Sequence, residues 1–172
     1  MIHQRDVSLP NDPIFAIRLT LIAVFGGRDC SAADYENAGR LGQLIAEHGF
    51  GLICGGRNGV MEAACRGAAQ AGGQTIGILP DDSDEAANPW VQIAIPSGIG
   101  IARNSIIVRA CRAAVAIGGK YGTLSEIAYA LDLHIPIFGI GTWEIPGVRA
   151  VSTPEAAMAG IIEELDWKSG QR

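Results

Sequence analysis

From Ile17 onward, short apolar runs alternate with longer segments whose apolar residues recur at helical spacing. Runs too short for helices, interleaved with helical segments, are the signature of βα units and a parallel sheet. The chain is therefore expected to fold as a single Rossmann-like α/β domain. Its sheet is expected to be mainly parallel, of about six or seven strands, with helices on both faces. Residues 1–13 are polar, contain Pro10 and Pro13 and lack periodicity, so they read as a flexible N-terminal arm. Residues 14–167 read as the Rossmann-like domain itself and 168–172 as a C-terminal tail.

Within that domain, strands are expected at about 18–25, 52–54, 75–79, 91–95, 113–117 and 135–140. A helix near 33–48 places Leu41, Leu44, Ile45 and His48 on one face and stops at Gly49. Asn58 is positioned to cap a second helix that ends at Gly72-Gly73. Further helices are expected over about 99–111 and 123–133, and Thr153 followed by Pro154 announces the last one. The loop holding Asp81, Asp82, Asp84 and Glu85 reads as a solvated acidic turn.

Composition narrows the function classes. The 172 residues, 48% hydrophobic, suffice for a buried core. A net charge of −5 supplies no electrostatic footprint for nucleic acid or an anionic membrane surface. The apolar run 14–25 carries Arg18 and is too short to span a bilayer. Cys30, Cys54, Cys65 and Cys111 show no paired spacing and the three histidines are scattered, so no metal site is expected. Thiols set among apolar residues read as reduced and buried, which suits the cytoplasm.

Two glycine-rich corners carry the functional signal. Gly55-Gly56-Arg57-Asn58-Gly59 and Gly118-Gly119-Lys120-Tyr121-Gly122-Thr123 each follow an apolar run and each open a helical segment. Glycine permits sharp turns and close approach of backbone to ligand, and free N–H groups at a helix start attract anions. Parallel strands bring such corners to one sheet edge, so a shared pocket for a phosphorylated small molecule is expected. The turn after the first strand, Gly26-Gly27-Arg28-Asp29, belongs to the same edge. Common nucleotide fingerprints are missing: Lys120 is followed by Tyr121, not Ser or Thr, and no G-x-G-x-x-G follows the first strand.

The segment Gly119-Lys120-Tyr121-Gly122-Thr123-Leu124-Ser125-Glu126, together with Gly55-Gly56-Arg57-Asn58-Gly59-Val60-Met61, resembles the LOG family, once labelled lysine decarboxylase-like. Some members are cytokinin riboside monophosphate phosphoribohydrolases. Laid on this chain, the family motif PGGxGTxxE puts its Pro at Gly118, its glycines at Gly119, Lys120 and Gly122, its Thr at Thr123 and its Glu at Glu126. Arg103 stands fifteen positions before Gly118, where the family has its catalytic Arg. The likeness covers about residues 18–165, and Gly59-Val60-Met61-Glu62-Ala63, Gly77-Ile78-Leu79-Pro80 and Ala102-Arg103-Asn104 are most similar to the branch containing molybdenum cofactor carrier proteins. Two departures stand out: Gly118 replaces Pro, and Lys120 replaces Gly.

The resemblance implies that Arg103 and Glu126 are the catalytic pair, and that Gly26, Gly27, Gly55, Gly56, Gly59, Asn104, Gly118, Gly119, Lys120, Tyr121, Gly122 and Thr123 bind the ligand. It implies hydrolysis of the N-glycosidic bond of nucleoside 5′-monophosphates, with no cofactor required. The alternative it leaves open is a non-catalytic carrier of molybdenum cofactor or a related pterin phosphate. It also implies a homodimer or larger homo-oligomer. A carboxylate at Glu126 would stabilise positive charge on ribose or activate water, and the planar fork of Arg103 would orient phosphate or ribose. Plainer readings compete at several positions. Thr123 to Glu126 also fits an S/T-x-x-E capping box. Arg57 and Glu62 suit the surface equally well, Tyr121 suits gap-filling as well as ligand cover, and Asn104 suits a local hydrogen bond.

Overall fold

A computed structural model describes residues 19–169. The expected N-terminal arm, and residues 170–172 of the expected tail, lie outside the described residues. Seven strands form one sheet: β1 (Leu21–Gly26), β2 (Gly51–Cys54), β3 (Thr75–Leu79), β4 (Ile93–Pro96), β5 (Ala113–Ile117), β6 (Ile137–Ile140) and β7 (Arg149–Ala150). Their order is β4-β3-β2-β1-β5-β6-β7, and every neighbouring pair is parallel. The helices are α1 (Ala32–Glu47), α2 (Val60–Gln70), α3 (Asn104–Ala110), α4 (Tyr121–Asp132) and α5 (Pro154–Ser169), with a 3₁₀ turn at Gly100–Arg103. No described helix is long and apolar enough to cross a membrane.

The strands read as continuous apolar runs because helices cover both faces. Successive residues of β1 serve opposite sides: Ile22 and Val24 join the cluster under α1, α2 and α5, while Ala23 and Phe25 join the one under α3 and α4. On the first side, α1 and α2 approach through small residues. A Cβ on Gly42 would collide with the carbonyl of Ala64 and lie 3.0 Å from the Ala68 nitrogen. A Cβ on Gly67 would likewise collide with the carbonyl of Gly39.

Several expected boundaries move. The short strand β7, which pairs with β6 and is only two residues long, carries too little pattern to be read in advance. Asn58 is not the cap of α2; Gly59 occupies that place, at φ 71° and with no side-chain cap. A Cβ on Gly59 would collide with the Arg28 carbonyl and sit 2.5 Å from that of Gly27, whose oxygen accepts from Val60 N at 3.1 Å. The expected 99–111 helix divides into the 3₁₀ turn and α3. Helix α4 starts two residues early, at Tyr121, with Lys120 as its cap and no side-chain capping bond, so the Thr123–Glu126 capping box does not form. Thr153 does cap α5, its Oγ1 accepting from Ala156 N at 3.2 Å.

The α1–α2 contact gives a direct test. Gly42→Leu is expected to cost about 3 kcal/mol by overpacking, lowering Tm by roughly 6–12 °C in thermal denaturation. An unchanged Tm would show that the two helices have room for a side chain there.

Candidate functional site

Strand order reverses beside β1: the chain builds outward through β2, β3 and β4, then returns to place β5 on the other side. Loops leaving β1 and β5 therefore diverge at the carboxyl edge and leave a crevice, the usual ligand position in open α/β sheets. A cavity of about 380 Å³ occupies it. Of the residues expected to bind or react, Gly26, Gly27, Arg103, Asn104, Lys120, Gly122, Thr123 and Glu126 line it. Both expected catalytic side chains thus reach one cavity, from the 3₁₀ turn and from α4.

Gly55, Gly56, Gly59, Gly118, Gly119 and Tyr121 are not among its lining residues, and most of these glycines shape it from behind. A Cβ on Gly55 would fall 2.5 and 2.6 Å from Arg103 Nη1 and Nη2, so this glycine leaves the space that the guanidinium fills. Gly56 accepts from Asn88 N at 2.8 Å, and Asn88 Nδ2 donates to Arg57 O at 3.0 Å, so the buried Asn88 secures the corner. Gly118 sits at φ 52°, with Asp34 beside the place of a Cβ. Proline, held near −65°, cannot adopt that conformation, so this corner as it is turned here does not admit the Pro of the LOG motif. At Gly119, φ 95°, a Cβ would collide with Thr123. Tyr121 is 80% exposed, and its ring lies 6.1 Å from that of Trp143.

Arg28, Asp29, Arg57, Met61, Pro80 and Ile101 also line the cavity, beyond the residues expected to bind. The charges there are held in specific ways. Arg103 Nη1 donates to the Ile78 carbonyl and Arg57 Nη2 to the Asp81 carboxylate. The Nε of each arginine is buried without a hydrogen-bond partner. Lys120 Nζ lies 3.6 Å from Asp29 Oδ2, an exposed pair of the kind that contributes little by itself. Asn104 Nδ2 donates to Ser125 Oγ at 2.8 Å and to Gly122 O at 3.3 Å, tying the start of α3 to the start of α4. That is the local hydrogen bond the sequence left open, made at the cavity wall.

Glu126 is only 7% exposed. Burial pushes its pKa up to about 8, although Arg103 nearby pulls in the opposite direction and Cys54 adds slightly to the rise. Burial also lowers the pKa of Arg103, partly offset first by Glu126. Desolvation prevails at Glu126, so its carboxyl is mostly protonated at neutral pH. The lining then carries Arg28, Arg57, Arg103 and Lys120 against the single carboxylate of Asp29, a cationic cavity in a chain of net charge −5. Beneath it, Cys54 Sγ and Cys65 Sγ are 3.5 Å apart as free buried thiols, and Cys111 is also buried and free. Among the described residues, no group of three or more His, Cys, Asp or Glu side chains is placed to hold a metal ion.

Residues 19–164 match the profile of the SLOG cluster4 family. The chain belongs to that family. An uncharacterized protein from Archaeoglobus fulgidus is 42% identical over 149 residues, covering 83% of this chain and 94% of the relative. The molybdenum cofactor binding protein of Rippkaea orientalis superposes with a TM-score of 0.82 at 38% identity, covering 87% of this chain and 99% of that one. The molybdenum cofactor carrier protein of Chlamydomonas reinhardtii superposes with a TM-score of 0.80 at 34% identity, with the same coverage. The SLOG cluster4 assignment and these neighbours agree with the LOG-like resemblance and with its carrier-containing branch.

Raised burial of Glu126 has a consequence for stability. A carboxyl whose folded pKa lies above its ordinary 4.5 contributes stability that is fully present below that value and is lost as pH rises through about 8. Ligand-free wild type should therefore lose a few kcal/mol relative to Glu126→Gln between about pH 5 and about pH 9, measured by denaturant titration at each pH. Parallel stability curves for the two proteins would contradict the burial of an acidic group at this position.

Proposed function

We propose that this protein binds a phosphorylated pterin of the molybdenum cofactor type and carries it without turnover. The observation that carries the reading is the cationic cavity at the strand-order reversal, in which Arg57 and Arg103 each retain a buried, unpaired Nε–H. Leaving such a donor unsatisfied costs about 1–3 kcal/mol, and an anionic ligand that engages or repositions either guanidinium offsets that cost. A volume of about 380 Å³ suits a compact heterocycle with a phosphate. The likeness to carrier and binding proteins of molybdenum cofactor, over nearly their whole length, supports the choice of a pterin. Arg103 supplies a planar fork for phosphate, Lys120 a mobile positive charge at the cap of α4, and neutral Glu126 an O–H donor for a carbonyl or ring nitrogen.

Hydrolysis of nucleoside 5′-monophosphates is the second reading, favoured by Arg103 and Glu126 lining the same cavity. A protonated Glu126 lacks the negative charge that would stabilise an oxocarbenium ion, and an anionic ligand beside it raises its pKa further. Retention without cleavage therefore accounts better for the electrostatics. We further propose cytoplasmic residence and a homo-oligomeric state, as the LOG-like resemblance implies.

The test is equilibrium binding of a phosphorylated pterin by fluorescence titration, alongside incubation with AMP, GMP and CMP and chromatography for free base. Saturable pterin binding with no base released is expected, and Arg103→Ala should weaken binding by roughly 10- to 100-fold, the range of one charge-assisted hydrogen bond. Release of base by wild type but not by Glu126→Gln would replace the carrier reading with the hydrolytic one. Absence of both binding and release would overturn both.

A further inference from the structure

Two free thiols stand in contact behind the first glycine corner. Cys54 ends β2 and Cys65 lies within α2, and their Sγ atoms are 3.5 Å apart, both fully buried. Each also touches a group that shapes the cavity. Gly56 N donates to Cys54 Sγ at 3.3 Å, and Asn88, whose Nδ2 donates to Arg57 O at 3.0 Å, hydrogen-bonds the Cys65 side chain as well. Gly55, next to Cys54, leaves the space that Arg103 fills, and Met61 Sδ lies 2.8 Å from the place of its Cβ. Arg103 and Met61 both line the cavity, so these two side chains stand between it and the residue beside Cys54.

The two sulfurs are inequivalent. The hydrogen bond from Cys65 lowers the pKa of Cys54, burial opposes this, and Gly56 N–H and Arg103 add to the lowering. The same bond, and then burial, raise that of Cys65. Cys54 is therefore the attacking thiolate and Cys65 the resolving thiol. With hydrogen peroxide, the Cys54 sulfur takes one oxygen as the O–O bond breaks, giving a sulfenic acid and a hydroxide that collects the proton Cys54 had released. The Cys65 sulfur then bonds to that of Cys54, the S–O bond breaks, and the oxygen leaves as water with the proton of Cys65. Two thiols are oxidised to one disulfide while one peroxide is reduced to two waters. Cys111, by contrast, donates to Val108 O at 3.3 Å.

We propose that Cys54 and Cys65 form a reversible dithiol–disulfide couple whose closure shifts the first glycine corner. The sulfurs must approach from 3.5 Å to about 2.0 Å, which takes from Gly56 N–H the acceptor it now has. That corner has little slack: Gly56 sits at φ 70° with Leu79 Cδ2 only 2.9 Å from the place of a Cβ, and Gly55 abuts Arg103. A shift there unseats the guanidinium. Resting on the reading of the cavity as a phosphorylated-ligand site, oxidation by a peroxide then releases the ligand, and reduction by a thiol restores binding.

The test treats the full chain with hydrogen peroxide, alkylates the remaining thiols and digests with trypsin, which cuts after Arg57, between the two cysteines. Peptides 41–57 and 58–66 joined by a bond that dithiothreitol breaks are the expected product. Amide exchange over residues 55–59, followed by mass spectrometry, should be several-fold faster in the oxidised protein and return on addition of dithiothreitol, which leaves methionine sulfoxide untouched. Oxidised protein should bind the phosphorylated pterin about tenfold more weakly than reduced protein. Unjoined peptides, oxidation that stops at sulfinic acid on Cys54, a bond to Cys30 instead, unchanged exchange, or equal pterin affinity in the two redox states would each overturn the inference. Joined peptides and faster exchange in a protein whose reduced form binds no pterin would overturn the first-cavity reading alone, so the two failures are distinguishable.

Discussion

Reversal of strand order at β1 is the constraint from which the rest of this molecule follows. Parallel strands need crossover helices, and building first to one side of β1 and then to the other sends those helices to both faces of the sheet. The loops after β1 and β5 must then part company at their carboxyl ends. What lies between them is backbone that no neighbouring loop covers, so the edge holds a cavity lined by loop residues and helix starts. Glycine is required where the loops turn most tightly. At Gly59 and Gly118 the backbone is in the left-handed region with neighbouring groups pressed close to the place of a Cβ.

Charge is distributed against the trend of the whole chain. An acidic protein concentrates four cationic side chains around one crevice and neutralises Glu126 by burying it, which leaves Asp29 as the one carboxylate of the lining. The same apolar packing of α4 against the sheet that excludes water from Glu126 is what keeps its proton on. Arg103 bears a matching cost: it is held by a carbonyl at the end of β3, in a space kept open by Gly55, and its Nε finds no protein partner. Residues that fold alone would not favour are thus gathered at the place where a ligand would benefit from them.

Much of the fold was legible because period-2 and period-3.6 patterns survive wherever elements are buried on both sides. Ile22 to Phe25 and Ala113 to Ile117 are such runs, and both are strands. Boundaries shifted where local chemistry gives two equivalent answers: Asn58 and Gly59 both suit a cap, and only the close approach of the Gly27 and Arg28 carbonyls selects glycine. Within the site, Arg103 and Glu126 were found through their spacing to the second corner. Arg28 was not singled out and Arg57 was left equally suited to the surface, since an arginine in a polar loop carries no mark of the strand order that turns it toward a crevice. Tyr121 was expected at the ligand because a loop aromatic is a natural cover, but the early start of α4 sets it toward Trp143. Asn88 was invisible for a similar reason, as its partners lie some thirty residues back along the chain.

The account reduces to one placement: a ligand phosphate in the crevice between the β1 and β5 loops, within reach of Arg103. A crystal structure of the full chain grown with a phosphorylated pterin measures that placement directly. Phosphate density beside Gly26, Gly27 and Thr123, at roughly 3 Å from the Arg103 guanidinium, is the predicted result. Ligand density on another face of the molecule, with the crevice filled by water alone, would contradict it.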